Sequence, residues 1–375
     1  LSDAFGGVAS VGPGHELGFE AGWRLDAAGV LQLEGGNSSF DAARVSGGLQ
    51  VLAGTVTVKR VAALAATTQL QSGAQVHLEQ PDAVLRLEAD SEMAAGVLVD
   101  GAGQLHNVTG STLGLHDGAN LGVALNNSGR LVLGDAQGQE VELTGPVLNF
   151  GLVEIDAGKA TFDGEVVNFG EFHVTASEMT FNASYTEHGA YISDPSTNRF
   201  VDLLIGADGY LVGGAGDRWV VSGQFDNGSA QGTAWSTASS DLVLSGAGPQ
   251  VIHLAGADLG PSAQGWMDNF AWGSLQLAAG TSIHLLDGNA APGAALYVGV
   301  LDLAGGVDQL GEIMSDFNIY YDPTLGANAY LGGATYGLGG IGQLRPLAAV
   351  PAPASFAMLT ASLAGLAARR RRQPH

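Results

Sequence analysis

Asn127-Ser-Gly129-Arg-Leu131-Val-Leu133, Asn149-Phe-Gly151-Leu-Val153-Glu-Ile155 and Asn168-Phe-Gly170-Glu-Phe172-His-Val174 state one pattern three times: Asn-x-Gly-x-h-x-h, with h apolar. Their starts lie 22 and then 19 residues apart. The offset of 19 extends past the motif, since Gly158 maps to Ser177, Phe162 to Phe181, Asp163 to Asn182, Val166 to Tyr185 and Gly170 to Gly189. A period near 20, with one turn and two or three short alternating strands per unit, is what a β-solenoid (a parallel β-helix) needs. Each coil then rises by the strand spacing of about 4.8 Å, and alternate residues point inward. Leu131, Val153 and Phe172 are expected in one column, and Leu133, Ile155 and Val174 in the next. Asn127, Asn149 and Asn168 sit at a corner where each amide can hydrogen-bond its neighbours above and below. Gly129, Gly151 and Gly170 are read as supplying the positive φ of the turn. These six residues build the fold and bind nothing in this reading. A compact β-sandwich with fortuitous repeats is the alternative.

The same texture runs upstream. Gly48–Val51, Thr55–Val58, Ala74–Leu78 and Val84–Leu87 alternate apolar and polar residues, the period of a half-buried strand. Residues 61–66 (VAALAA) are long enough for a single helical turn and are left open. Residues 1–200 are therefore expected to form one solenoid-like body. At 193–199 a turn-rich break follows, tryptophans become prominent, and strands lengthen. Residues 201–345 read as a β-rich C-terminal cap ending in a glycine-rich spacer, because an open solenoid end exposes unpaired strand edges.

Composition agrees with an all-β chain. Glycine accounts for 58 of 375 residues, charged residues for 14% and hydrophobic residues for 46%. Disorder goes with the opposite balance of hydrophobicity and charge. Net charge is −23. Without the four arginines near the end, 10 basic residues face 37 acidic ones, or −27 for the body. Such a surface repels nucleic acid and anionic lipid. With no cysteine, there is neither a disulfide framework nor thiolate chemistry. The chain starts Leu1-Ser-Asp-Ala-Phe with no basic-then-apolar leader; an exported form is expected to carry a signal peptide outside this sequence.

The end of the sequence has three parts. A Pro-containing linker, 346–353, leads into an uncharged Ala/Leu-rich stretch, 354–368, and then Arg369, Arg370, Arg371 and Arg372. As a helix the 15 apolar residues would span roughly 22 Å, short of the roughly 30 Å of a bilayer core. A basic cluster after an apolar segment fixes the cytoplasmic side. The C-terminus would stay inside and the body outside.

This layout resembles the PEP-CTERM sorting signal of Gram-negative bacteria, a Val-Pro-Glu-Pro entry followed by an apolar helix and an arginine run. Val350, Pro351, Pro353, the apolar stretch and Arg369–Arg372 match; Ala352 stands where the family usually has Glu. Tyr191-Ile-Ser-Asp-Pro, the run Gly209–Asp217, Ala295–Val298 and Asn318–Asp322 also look like segments of PEP-CTERM extracellular proteins. The resemblance covers roughly 185–375. It implies that residues 350–375 are read and removed by an exosortase, with transient inner-membrane anchoring. It also implies an extracellular or envelope location and a link to exopolysaccharide or biofilm.

Chemistry is sparse along the chain. None of the nine histidines stands in a metal-ligand spacing. Gly213-Gly-Ala-Gly-Asp217 approaches a calcium nonapeptide, but its Asp comes one residue early, so a glycine turn is expected. Asp163 with Glu165, or Asp156 with Glu171, would be the carboxylate pairs of a polysaccharide-active enzyme. No Gly-x-Ser-x-Gly elbow occurs. Trp219, Trp235, Trp266 and Trp272 would be sugar platforms if coplanar and exposed, and core residues otherwise. The expectation is a non-enzymatic, exported structural or adhesin-like protein without cofactor. A solenoid enzyme and a carbohydrate-binding module are the rivals.

Overall fold

A computed structural model describes residues 8–12, 15–20, 24–25, 29–135, 138–291 and 293–348. It is all-β, with 54% strand and 5% helix, wound into a β-solenoid of about 15 turns. The short strands cannot bury an apolar face alone, so each coil lies on the previous one. One side is an eleven-stranded parallel sheet running from Val8–Val11 to Tyr210–Val212. Strands such as Lys159–Phe162 and Val166–Asn168 form the other sides, each paired in parallel one coil up and one coil down.

The expected columns are present. Leu131 pairs with Val153 and Val153 with Phe172, while Leu133, Ile155 and Val174 follow in the next column. All six are buried. The offset of 19 is likewise a true coil, since Phe162 sits opposite Phe181 and Val166 opposite Tyr185. Toward residue 200 the interior becomes aromatic. Phe172 stacks on Tyr191 at 5.0 Å and Phe181 on Phe200 at 4.8 Å, with Trp219 on the next coil. Burying each such ring contributes about 1.5–3 kcal/mol. Residues 61–66 begin with a strand, Val61–Leu64, held between Ala43–Val45 and Val84–Leu87.

The boundary expected near residue 200 falls inside a strand, Thr197–Ile205. Coils continue beyond it and grow longer: Asp241 and Ser274 are register partners 33 residues apart. Parallel pairing persists to Gln343–Pro346 on Asn318–Tyr321. The end is then covered by the chain itself. Tyr336–Gly337 pairs antiparallel with Gln343–Leu344. The glycine-rich stretch, expected as a spacer, folds onto Ile313–Ser315 through Gly339 N–H to Ile313 O (2.8 Å) and Gly342 N–H to Ser315 O (2.9 Å).

The role assigned to the repeat glycines needs correction. Gly129, Gly151 and Gly170 are not among the left-handed glycines, and positive φ falls instead at the turn after the following strand, on Ala157 (54°) and Ala176 (48°). The requirement at the three glycines is steric. A Cβ on Gly151 would run into the carbonyl oxygen of Gly129, and one on Gly170 into that of Gly151. Stacked corners bring backbone onto backbone, and only hydrogen fits between.

Candidate functional site

Three successive residues at this corner face three different environments. Asn149 and Asn168 point inward, Phe150 and Phe169 point out, and Gly151 and Gly170 lie between. Inside, the amides form an unbroken one-way ladder: Asn107 Nδ2 donates to Asn127 Oδ1 (2.7 Å), Asn127 to Asn149 (2.7 Å) and Asn149 to Asn168 (2.6 Å). Each member also donates to a backbone carbonyl, as Asn149 does to Gly151 O at 3.1 Å. Every amide passes a donor upward, so the last of them needs an acceptor on the next coil.

Glu187 occupies that place. Its carboxylate takes Asn168 Nδ2 at 2.8 and 2.9 Å, Gly189 N–H at 2.6 Å and Tyr185 O–H at 2.8 Å. Burial pushes its carboxyl up to about 8, against these hydrogen bonds, which favour the charged form. A perturbed acid can signal chemistry, but this one is fully enclosed and serves the ladder. Sequence reading missed it, although it stands 19 residues after Asn168 and so in the Asn column.

Outside, Phe150 and Phe169 are 51% and 48% exposed. Their rings stack at 5.3 Å, and Phe169 stacks on His188 at 4.7 Å, all within 12° of parallel. This ridge borders an open groove of about 600 Å³. Gly151, Gly170 and Gly189 form the floor; Leu152, Glu171 and Ala190 form the far wall, with Tyr210 at its end. The ridge residues were legible as the x of Asn-x-Gly, a position treated as free.

The other candidates disperse. Asp163 accepts Asn182 Nδ2 (2.7 Å), and Glu171 lies 2.9 Å from His173 Nε2. Asp156 is opposite Thr175, not Glu171. Histidines are engaged across coils: His77 Nδ1 with Asp100 (2.7 Å), and His116 with both Glu92 (3.0 Å) and Asp135 (3.1 Å). No group of three potential ligands gathers around a metal position among the described residues. Asp217 is buried and accepts Ser193 Oγ, Ser196 N–H (2.8 Å) and Gly214 N–H (2.7 Å), which makes it a turn anchor. Trp219, Trp235 and Trp272 are interior, meeting edge to face at 6.1–6.3 Å; Trp266 is half-buried against Tyr297 and its neighbours. Among the described residues no helix is long and apolar enough to cross a membrane. The apolar stretch 354–368 and the signal residues Val350, Pro351, Ala352, Pro353 and Arg369–Arg372 lie outside the described residues. No family model matches the chain, and no curated protein or solved structure is similar enough to count as a relative.

Proposed function

We propose that this chain is an exported, non-enzymatic surface protein whose solenoid serves as a rigid spacer and contact surface at the envelope or matrix of a Gram-negative cell. Residues 350–375 act as an address that an exosortase reads and removes after transient inner-membrane anchoring. A link to exopolysaccharide or biofilm follows from the same resemblance. The observation that carries the structural part is the pairing of an internal amide ladder with an external aromatic ridge on one repeat. Polar side chains such as Asn149, Asn168 and Asp217 hold coils together, while Phe150 and Phe169 present a short aromatic ridge on adjacent coils. A strongly acidic body suits a soluble exterior and disfavours nucleic acid.

Intact mass of the protein from native cells, compared with cells lacking the exosortase, tests the address. Loss of the segment from about Pro351 onward only when the enzyme is present is the expected result. A full-length mass in both strains would remove sorting from this reading and leave a tethered solenoid.

A further inference from the structure

We infer that the corner at Gly213 binds one water molecule as a fixed part of the core, and that this water stands in for a side-chain hydroxyl which the flanking coils carry at the same position. The site lies beyond the surface role proposed above and does not depend on it.

Register fixes the comparison. Ile192 pairs with Val212, and Val212 bridges to Ser236. The residues that follow, Ser193, Gly213 and Thr237, therefore form one column on three successive coils. In the two flanking coils the column hydroxyl accepts a buried N–H. Asn198 Nδ2 donates to Ser193 Oγ at 2.9 Å, and Trp235 Nε1 donates to Thr237 Oγ1 at 2.7 Å. Trp219 is the register partner of Asn198, so its indole N–H is the corresponding donor of the middle coil. Gly213 offers no hydroxyl to receive it.

Two buried polar atoms converge on that spot. Trp219 Nε1 and Ser240 Oγ have no hydrogen-bond partner within the chain, and both residues are fully buried. A Cβ on Gly213 would lie 3.1 Å from the first and 2.7 Å from the second. Leaving a buried donor without a partner costs about 1–3 kcal/mol, and buried water is found where such groups meet.

The surroundings select the ligand. It has to accept from Trp219 and share a hydrogen bond with Ser240. An indole N–H facing the site opposes a cation. The Asp217 side chain opposes an anion, since its Cβ is 3.4 Å from the same point and its carboxylate is buried there, held by Ser193 Oγ and Gly214 N–H. Water both donates and accepts and carries no charge. The stretches Tyr191–Pro195 and Gly209–Asp217, separate in the sequence, thus close one polar corner between them.

A crystal structure of the full chain, at a resolution that shows ordered water, tests the site. The expected result is an oxygen within hydrogen-bond distance of both Trp219 Nε1 and Ser240 Oγ. Gly213→Ser and Gly213→Ala add the same Cβ, so crowding against Ser240 is common to both and their difference isolates the hydroxyl. Serine should displace the water and take the indole N–H, whereas alanine should displace it and leave the N–H unpaired. The thermal unfolding midpoint of the alanine variant is expected about 2 °C or more below that of the serine variant. No oxygen at the site, a Ser240 hydroxyl turned directly onto the indole, an anomalous peak marking a bound ion, or equal midpoints for the two variants would overturn the proposal.

Discussion

Coils between Asn127 and Ala190 and coils between Arg218 and Pro346 solve one problem in different ways. Both must satisfy buried backbone groups at corners where strands end. In the first region one device repeats: an asparagine column in which each amide serves its own coil and the next. In the second, each corner has its own clamp. Gln250 Nε2 binds Gly223 O at 2.6 Å, Gln309 Nε2 binds Ala278 O at 2.7 Å, and Asn328 Nδ2 binds Gly299 O at 2.7 Å. A ladder is cooperative but leaves no room for loops. Clamps tolerate coils of varied length, and the long insertions of the second region depend on that tolerance.

The difference is sharpest when one member is removed. Asn149→Leu leaves Asn127 without its acceptor and Asn168 without its donor, both deep in the core. A loss of about 3–4 kcal/mol is expected, measured by urea unfolding. Gln250→Ala, which cuts a single clamp, should cost about 1–2 kcal/mol. Equal losses would show that the ladder is no more than a sum of independent contacts.

The ladder also carries a titration that the clamps lack. Glu187 has its carboxyl raised to about 8 from 4.5, so the folded chain holds this proton more tightly than the unfolded chain does. The resulting stability is fully present below about pH 4.5 and is lost as pH rises toward 8. The expected amplitude is on the order of 5 kcal/mol. Glu187→Gln keeps an acceptor for Asn168 and should abolish this part of the pH profile. An unchanged profile would assign the pH dependence to other groups.

Glycine positions sort by the room beside them, and both regions hold crowded ones: Gly170 on Gly151 in the first, Gly299 on Gly273 in the second. Gly170→Ala forces a methyl against the carbonyl of Gly151 and should destabilise by about 2 kcal/mol or more. Gly214 and Gly337 have open space where a Cβ would go, and alanine there should stay within about 0.5 kcal/mol. The smallest effect has the opposite sign. Ala157 sits at φ 54°, a conformation costly for an L-residue. Ala157→Gly should therefore gain about 0.5 kcal/mol after the entropy of glycine is set against the relieved strain. Thermal unfolding of each variant decides both.

Much of this fold was legible because stacking places chemically alike residues at fixed intervals. Asn149, Asn168 and their apolar partners recur since each touches its own equivalent one coil away. Glu187 was in the same register but differed in type, and it was passed over for that reason. Downstream, the interval between equivalent residues changes with every loop, so the coil persists while the repeat in sequence fades. That is why 201–345 read as a separate cap.

The sequence by itself determined the all-β class, the coil period, the inward columns and the asparagine corner, all products of contacts between near-identical units. Only the tertiary structure decided the rest. It placed Phe150 and Phe169 in one exposed ridge, gave the glycines a steric task, buried Trp219, Trp235 and Trp272, and enclosed Glu187. Each of those outcomes depends on how closely one coil approaches the next, a distance in space that no interval in the sequence records.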